Sequence, residues 1–134
     1  MDDQRVRRHR IRIARPVRDL AVSARFYEQV LEMVPFGGFK DHDGYSGVFL
    51  GPIGSDWHVE LTHHVSGKPE PVSSTEDLLV LYYQRDRMPM FLSRMELARV
   101  QPLKHENPYW ETVGALVFAD PDGYLIVVVP EREE

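Results

Sequence analysis

Apolar and polar residues alternate in several short stretches of the chain, and two longer stretches show helical spacing. Alternation with a period of two is typical of strands, whereas apolar residues at i, i+4 spacing predict a helix with one buried face. The predicted strands cover residues 11–17, 39–41, 48–50, 57–63, 78–83, 112–118 and 125–129. The predicted helices cover residues 20–33 and 91–100.

Residues that begin, end or interrupt these elements support the assignment. Asp19 offers a side-chain acceptor that would cap the first helix, and Pro35 and Pro102 are predicted to end the two helices. The Asp-Pro-Asp-Gly sequence at residues 120–123 predicts a tight turn, because proline presets φ and glycine accepts positive φ. Residues 66–74 are polar, contain two prolines and are typical of a linker.

The two halves of the chain repeat the same landmarks. Three pairs are separated by 67 residues: Asp19 and Asp86, Pro35 and Pro102, Gly47 and Gly114. Internal repeats at a fixed spacing indicate a duplicated unit. We therefore predict an α+β fold of two βαβββ modules, at about 8–65 and 75–131, joined by the linker at 66–74 within a single domain of 134 residues.

Composition and charge limit the kinds of molecule that the protein is expected to bind. The chain has 134 residues, 43% of them hydrophobic, and a formal net charge of −5, which argues against nucleic acid as the main partner. The absence of cysteine excludes disulfides and thiolate metal sites, and no apolar run is long enough to cross a membrane. We predict a soluble, cytoplasmic protein that binds neither nucleic acid nor membrane. One basic cluster is predicted to form a solvated N-terminal arm: Arg5, Arg7, Arg8, Arg10 and Arg12.

Two stretches resemble the vicinal oxygen chelate superfamily, which includes glyoxalase I, bleomycin-resistance proteins, fosfomycin-resistance enzymes and extradiol dioxygenases. Residues 13–31 (with Asp19-Leu20 and Phe26-Tyr27) look like its opening strand and helix, and residues 107–126, with the Asp-Pro-Asp-Gly turn, look like its closing strands. The resemblance implies an open barrel of two modules around a ligand cavity, usually in a homodimer.

The resemblance also implies where a metal ion would bind. Family members place His, Glu or Gln ligands on the first and last strand of each module, at positions that the 67-residue repeat assigns to Arg12, Glu60, Leu79 and Val127. Only Glu60 can act as a ligand, since arginine has donors only and Leu79 and Val127 have no lone pair. We therefore predict no metal centre of the usual kind and no cofactor.

Arg12 and Glu60 are open to two interpretations. They could form a salt bridge that closes a cavity, because buried charges are normally paired. They could instead anchor a polar group of a substrate. His58 is predicted to share the face of Glu60, two residues away on the strand, and could act as a general base or a ligand. The catalytic candidates are thus Glu60 and His58, with Arg12 in substrate binding.

The other histidines are weaker candidates. His64 shares a strand face with His58 and Glu60, but six residues of strand separate His58 from His64 by ~20 Å, which is too far for one ion. His42 and His105 are predicted to lie in loops. A metal site on this strand is therefore disfavoured.

Aromatic residues would line the cavity. Strand alternation places Tyr83 on the face of Leu79, toward the cavity, and Tyr82 on the opposite face. Tyr109 and Trp110 precede the sixth strand and are predicted at the cavity rim. The predicted substrate-binding set is Arg12, Tyr83, Tyr109, Trp110, Leu79 and Val127. This composition suits a flat or partly hydrophobic small molecule with one anionic group.

Two functions remain open on the sequence alone. The first is a glyoxalase- or bleomycin-resistance-like protein that acts on a small molecule, as a lyase, isomerase or dioxygenase-like member, without the usual metal. The second is a noncatalytic protein that sequesters a small hydrophobic or aromatic ligand in a homodimer. One fold supports all of these activities, so the choice depends on the site.

Overall fold

A computed structural model describes residues 9–132, which form seven strands and three helices. Arg5, Arg7 and Arg8 of the predicted N-terminal arm lie outside the described residues. The elements in chain order are β1 (Ile11–Pro16), α1 (Leu20–Gln29), β2 (Val34–His42), β3 (Tyr45–Gly51), β4 (Trp57–His64), β5 (Leu78–Tyr83), α2 (Met88–Leu97), α3 (Tyr109–Thr112), β6 (Leu116–Ala119) and β7 (Leu125–Pro130). No helix in this part of the chain is long and apolar enough to cross a membrane.

The strands form two sheets, one in each half of the chain. The first has the order β1-β4-β3-β2 and the second the order β5-β7-β6. In each sheet the first strand pairs parallel to the last, and the remaining neighbours are antiparallel. The predicted α+β class with duplicated modules is confirmed. In the second module the strand equivalent to β2 is reduced to a single bridge between Leu103 and Val117.

One apolar core joins the two modules. The helix-facing side chains of both sheets belong to a single buried cluster, in which Tyr27, Phe91 and Phe118 are fully buried. The rings of Phe91 and Phe118 lie 5.7 Å apart, centroid to centroid, so α2 packs directly on β6. A smaller cluster around Val127 lies on the other face of the second sheet. Helices α1 and α2 therefore cover one face of the two sheets, and on the opposite face of the second sheet Trp110 of α3 packs against the smaller cluster.

Buried hydrogen bonds fix α1 against the turn between β6 and β7. The Tyr27 hydroxyl donates to Asp120 Oδ2 at 2.6 Å, and the Ser23 hydroxyl donates to Asp122 Oδ2 at 2.7 Å. The predicted turn at residues 120–123 is present, with Gly123 at φ +91°. Burial raises the pKa of Tyr27 above its usual value, and the nearby Asp120 carboxylate adds to this rise. The turn thus joins the two modules through charge-assisted bonds.

The first helix is shorter than predicted. Asp19 caps it, since its Oδ1 accepts from the Val22 amide at 3.1 Å, but the helix ends at Gln29 rather than Met33. Pro35, predicted to end the helix, lies inside β2 instead. β2 is an edge strand, where a proline without an N–H group is tolerated. Because Pro35 does not interrupt the edge strand, β2 begins at Val34 and is much longer than the predicted strand at residues 39–41.

The second module differs from its predicted boundaries in two places. The helix predicted at residues 91–100 begins at Met88, because Pro89 fits its first turn, and it ends at Leu97. Thr112, predicted as the start of a strand, is the last residue of α3. The Asn107 side chain accepts from the Tyr109 amide at 3.0 Å and so favours a helical turn there.

Candidate functional site

The parallel pairing of β1 with β4 places the candidate residues side by side. Arg12 is opposite His58, and Ala14 is opposite Glu60. Ile13 and Val59 belong to the helix-facing core, so strand alternation puts Arg12, His58 and Glu60 on the opposite face of the first sheet. We call this surface the open face. The sequence predicts that His58 shares the face of Glu60, and the pairing of β1 with β4 places Arg12 beside them.

Arg12 is held by three neighbours. Its Nε donates to His58 Nε2 at 3.0 Å, and its NH1 lies 3.9 Å from Glu60 Oε1. Its guanidinium carbon lies 4.6 Å from the centroid of the Phe49 ring, an arrangement that favours a cation. The Glu60 contact is too long for a hydrogen bond. With 51% of its side chain exposed, Arg12 keeps guanidinium donors available to a ligand.

His58 is buried among aromatic side chains. It is 6% exposed, and the rings of Phe36 and Phe49 meet it edge-on, with centroids at 5.1 and 6.1 Å. Burial lowers the pKa of His58, and the positive charges of Arg12 and Arg10 lower it further. A neutral ring that accepts at Nε2 carries its proton on Nδ1. His58 therefore uses its lone pair to orient Arg12.

A cavity of about 300 Å³ opens beside His58. Its walls combine apolar side chains with polar and charged ones: Arg10, Val34, Phe36, Pro52, Ile53, Ser55, Asp56 and Trp57. This volume is at the lower end of the range for small-molecule sites. The open face thus offers a half-exposed cation, an aromatic floor and an adjoining recess.

The neutral state of His58 predicts a dependence of stability on pH. In the unfolded chain its pKa is about 6.5, whereas folding lowers it, so the unfolded state binds the extra proton first as the pH falls. Stability should therefore decline from about pH 7 toward the lower pKa of the folded state. His58→Gln keeps an acceptor for Arg12 but cannot titrate. Urea denaturation should show that wild type loses more free energy of unfolding between pH 7 and pH 5 than His58→Gln does. An equal loss in the two proteins would contradict the lowered pKa of His58.

Leu79 and Tyr83 do not join Arg12. Leu79 belongs to the helix-facing core, and the Tyr83 ring packs on Phe91 with centroids 5.2 Å apart. Both line a separate cavity between the modules. The assignment of Leu79 as the repeat partner of Arg12 is wrong, because the strand pairing makes Leu78 the equivalent residue. The connection between the first strand and the helix is one residue longer in the second module than in the first. Residues of β1 and β5 are therefore equivalent at a spacing of 66 rather than 67.

Val127, Tyr109 and Trp110 lie at the second sheet. Val127 is fully buried under Trp110, on the face of that sheet opposite the core. The rings of Tyr109 and Trp110 meet edge to face at 5.2 Å, and Tyr109 is half exposed. Trp110 Nε1 is buried and has no hydrogen-bond partner among residues 9–132. A ligand-binding role for these residues stays a prediction.

The remaining histidines lie away from the open-face cluster. His63 Nδ1 bonds with the Val17 carbonyl at 3.0 Å, and His64 Nδ1 bonds with the Ser66 hydroxyl at 2.8 Å. His42 is exposed, and His105 contacts the Thr75 carbonyl. The histidine that bonds to Arg12 is His58.

Sequence reasoning missed Phe36, Phe49 and Arg10. Phe49 stands opposite Glu60 in the β3–β4 pairing, a position that could have been read from the hairpin register. Phe36 was hidden by the wrong helix end, since β2 begins two residues before it. Arg10 alternates with Arg12 along the chain and was assigned to the N-terminal arm. The aromatic floor of the site therefore needed the correct strand boundaries.

The donor set at the open face does not fit a divalent metal ion. Glu60 is the one carboxylate in the cluster, His58 Nε2 is bonded to Arg12, and Arg12 places a fixed positive charge beside both. Within residues 9–132 no group of three or more His, Cys, Asp or Glu side chains is arranged to hold a metal. Three or four ligands are the usual requirement. We therefore derive no chemical step through a metal at this site.

Comparisons with known proteins agree on the fold. A model of the YycE-like N-terminal domain matches residues 11–62, and a model of the YycE-like C-terminal domain matches residues 76–129. The uncharacterized protein YycE of Bacillus subtilis (strain 168) is 38% identical over 123 residues, 91% of this chain and 88% of that protein. The crystal structure of a YycE protein of unknown function from Bacillus subtilis has a TM-score of 0.83 at 36% identity, covering 93% of this chain and 91% of that one.

More distant structures share the fold alone. FosX, a fosfomycin resistance protein from Listeria monocytogenes solved with manganese(II) and a dihydroxypropylphosphonic acid, has a TM-score of 0.71 at 13% identity, covering 90% of each chain. Glyoxalase I from Leishmania major has a TM-score of 0.70 at 22% identity, covering 92% of this chain and 87% of that one. These likenesses and the duplicated modules define a glyoxalase-like fold. The chain belongs to the YycE-like family.

Proposed function

We propose that this protein binds a small organic anion on the open face of the first sheet. Arg12 is the anchor for the negative charge, and the rings of Phe36 and Phe49 are the platform for the apolar part of the ligand. One observation carries this proposal: a half-exposed guanidinium, oriented by His58 at 3.0 Å, lies 4.6 Å from the Phe49 centroid. A positioned guanidinium favours a carboxylate or phosphonate, since both accept paired hydrogen bonds.

The charges around the site leave Arg12 open to an anionic ligand. Arg10 and Arg12 contribute two positive charges near a neutral His58, and two carboxylates lie in the same region, Glu60 beside Arg12 and Asp56 in the wall of the recess. Glu60 lies 3.9 Å from Arg12 and does not saturate it. FosX, which shares the fold, was solved with a phosphonic acid, itself a small organic anion.

Catalysis is the second candidate function. Glu60 is 16% exposed at its side chain and keeps at least one carboxylate oxygen free of a close hydrogen bond to Arg12, so it could accept a proton from a bound molecule. His58 would then act mainly through Arg12. In this proposal the reaction proceeds without the metal of other superfamily members.

The homodimer predicted from the family resemblance also stays a proposal. Large apolar side chains are exposed around the open face, with Phe36 at 58% and Ile53 at 86%. Exposed apolar residues in one region are typical of an interaction surface. A partner subunit covering this edge would close the recess beside His58. The cytoplasmic location remains a prediction from the sequence.

A thermal-shift screen with matched acids and neutral amides tests the proposed function. Aromatic carboxylates and phosphonates should raise the melting temperature of wild type more than the corresponding amides. The gain should disappear in Arg12→Gln, because the anion loses its charged partner. Equal stabilisation by acids and amides would contradict an anion site. Product analysis of each stabilising compound then separates turnover from binding alone.

A further inference from the structure

A second and larger cavity lies between the two modules. It has a volume of about 730 Å³ and runs along β1 and β5, each of which is an edge strand of its sheet. Its walls are mainly apolar, with contributions from Ile11, Ile13, Leu31, Met33, Leu79 and Leu81. Ile13 and Leu79 belong to the helix-facing core, so most of this cavity lies on the opposite side of β1 from Arg12. It is therefore a different site from Arg12 and the aromatic floor, and it shares the walls Pro52, Ile53 and Trp57 with the recess beside His58.

Charged residues gather at one side of this cavity. Glu32 and Arg87 line it and form an ion pair, with Arg87 NH2 2.6 Å from Glu32 Oε2. Arg94 Nε lies 3.2 Å from Glu32 Oε1, so one carboxylate serves two guanidinium groups. The three side chains carry a net charge of about +1 at neutral pH. Half of the Arg87 side chain remains exposed and available to another acceptor.

Glu32 adopts a backbone conformation that glycine would adopt more easily. Its φ is +56°, in the left-handed region, three residues after the end of α1. A side chain at such a position is strained relative to glycine. The glutamate at this position supplies the carboxylate that pairs with Arg87, which lines the cavity, and with Arg94. Arg99, 67 residues later and close to the end of α2, has φ +58°, so this conformation belongs to the helix end in both modules.

Tyr83 adds a neutral polar group to the wall of the cavity. Burial raises the pKa of Tyr83 to about 12, and the charge of Glu32 adds to this rise, so the hydroxyl stays protonated at neutral pH. The hydroxyl is 3.5 Å from the Leu31 carbonyl, a long contact. Its proton can therefore turn to a bound acceptor. The cavity combines apolar walls with a cationic rim and one hydroxyl donor.

We propose that this cavity binds an amphipathic monocarboxylate, with its apolar chain between β1 and β5 and its carboxylate on Arg87. The volume lies within the range of small-molecule sites, which are largely apolar with a few placed polar groups. The rival occupant is a second copy of the chain, whose side chains could fill the space between the two edge strands. The two occupants differ in how much they depend on Arg87. A carboxylate needs its positive charge, whereas the apolar side chains of a partner do not.

Calorimetric titration with decanoate, octanoate and 1-octanol tests the proposal. Decanoate should bind more tightly than octanoate, by about fourfold for each methylene group. Arg87→Gln should weaken decanoate binding at least tenfold and leave 1-octanol binding within about twofold. Arg85→Gln is the matched control, since Arg85 is an exposed arginine that shares a 3-10 turn (Arg85–Arg87) with Arg87 and does not line the cavity.

Other results would overturn the proposal. The proposal is wrong if wild type does not bind decanoate, or if Arg87→Gln and Arg85→Gln lose the same amount of affinity for it. Sedimentation equilibrium that shows a dimer unable to bind decanoate would assign the cavity to a second copy. The loss caused by Arg87→Gln should be the same when both proteins also carry Arg12→Gln, so decanoate bound at the open face, or a failure of that site, does not change the outcome. Thermal melting of each variant verifies that it is folded.

Discussion

Replacement of Tyr27 by phenylalanine should lower the free energy of unfolding by about 2 kcal/mol. The Tyr27 hydroxyl is fully buried and donates to Asp120 Oδ2 at 2.6 Å. Without it, Asp120 keeps the amide bonds from Asp122 and Tyr124 but loses the donor on its second oxygen. A buried carboxylate oxygen without a donor is costly. Urea denaturation at pH 7 measures the loss.

Tyr124→Phe is the matched control for this prediction. The Tyr124 hydroxyl donates at 3.0 Å to the carbonyl of Pro16, which is a neutral acceptor. Bonds between neutral groups are worth about 1 kcal/mol, so this variant should lose roughly half as much stability. If Tyr27→Phe were as stable as wild type, the hydroxyl would not join α1 to the turn as described.

The overall architecture followed from the sequence because its signals are local. The run of large apolar residues at 78–83 predicted the limits of β5, and Asp19 predicted the start of α1. The repeat of landmarks predicted two modules. The local signal at Pro35 was misleading. A proline ends a helix but is tolerated in an edge strand, and only the tertiary structure decides which of the two it meets.

The candidate site was predicted only in part. The pairing of Arg12 with Glu60 was anticipated, but the closest partner of Arg12 is His58, through the hydrogen bond from Nε. That bond depends on the relative register of β1 and β4, which are separated by 40 residues of chain. The repeat alone misassigned Leu79, because one added residue in a connection reverses the face of every side chain in the strand.

Arg12→Gln should weaken binding of an anionic ligand to the open face by about 10- to 150-fold. This range corresponds to about 1.5–3 kcal/mol for a hydrogen bond to a charged group. Glutamine retains polar atoms but lacks the charge and the paired donors of the guanidinium. Because Arg12 is half exposed, the fold should tolerate the change. Calorimetric titration of the best acid from the thermal-shift screen measures the affinity.

Arg25→Gln is the control for that titration, since Arg25 is an exposed residue of α1 and the change in net charge is the same. The titration is most informative when wild type, Arg12→Gln and Arg25→Gln are each measured with and without EDTA. We predict a loss of at least tenfold in Arg12→Gln, wild-type affinity in Arg25→Gln, and no effect of EDTA. Unchanged affinity in Arg12→Gln, or binding by wild type that EDTA abolishes and manganese(II) restores, would contradict recognition by Arg12 without a metal.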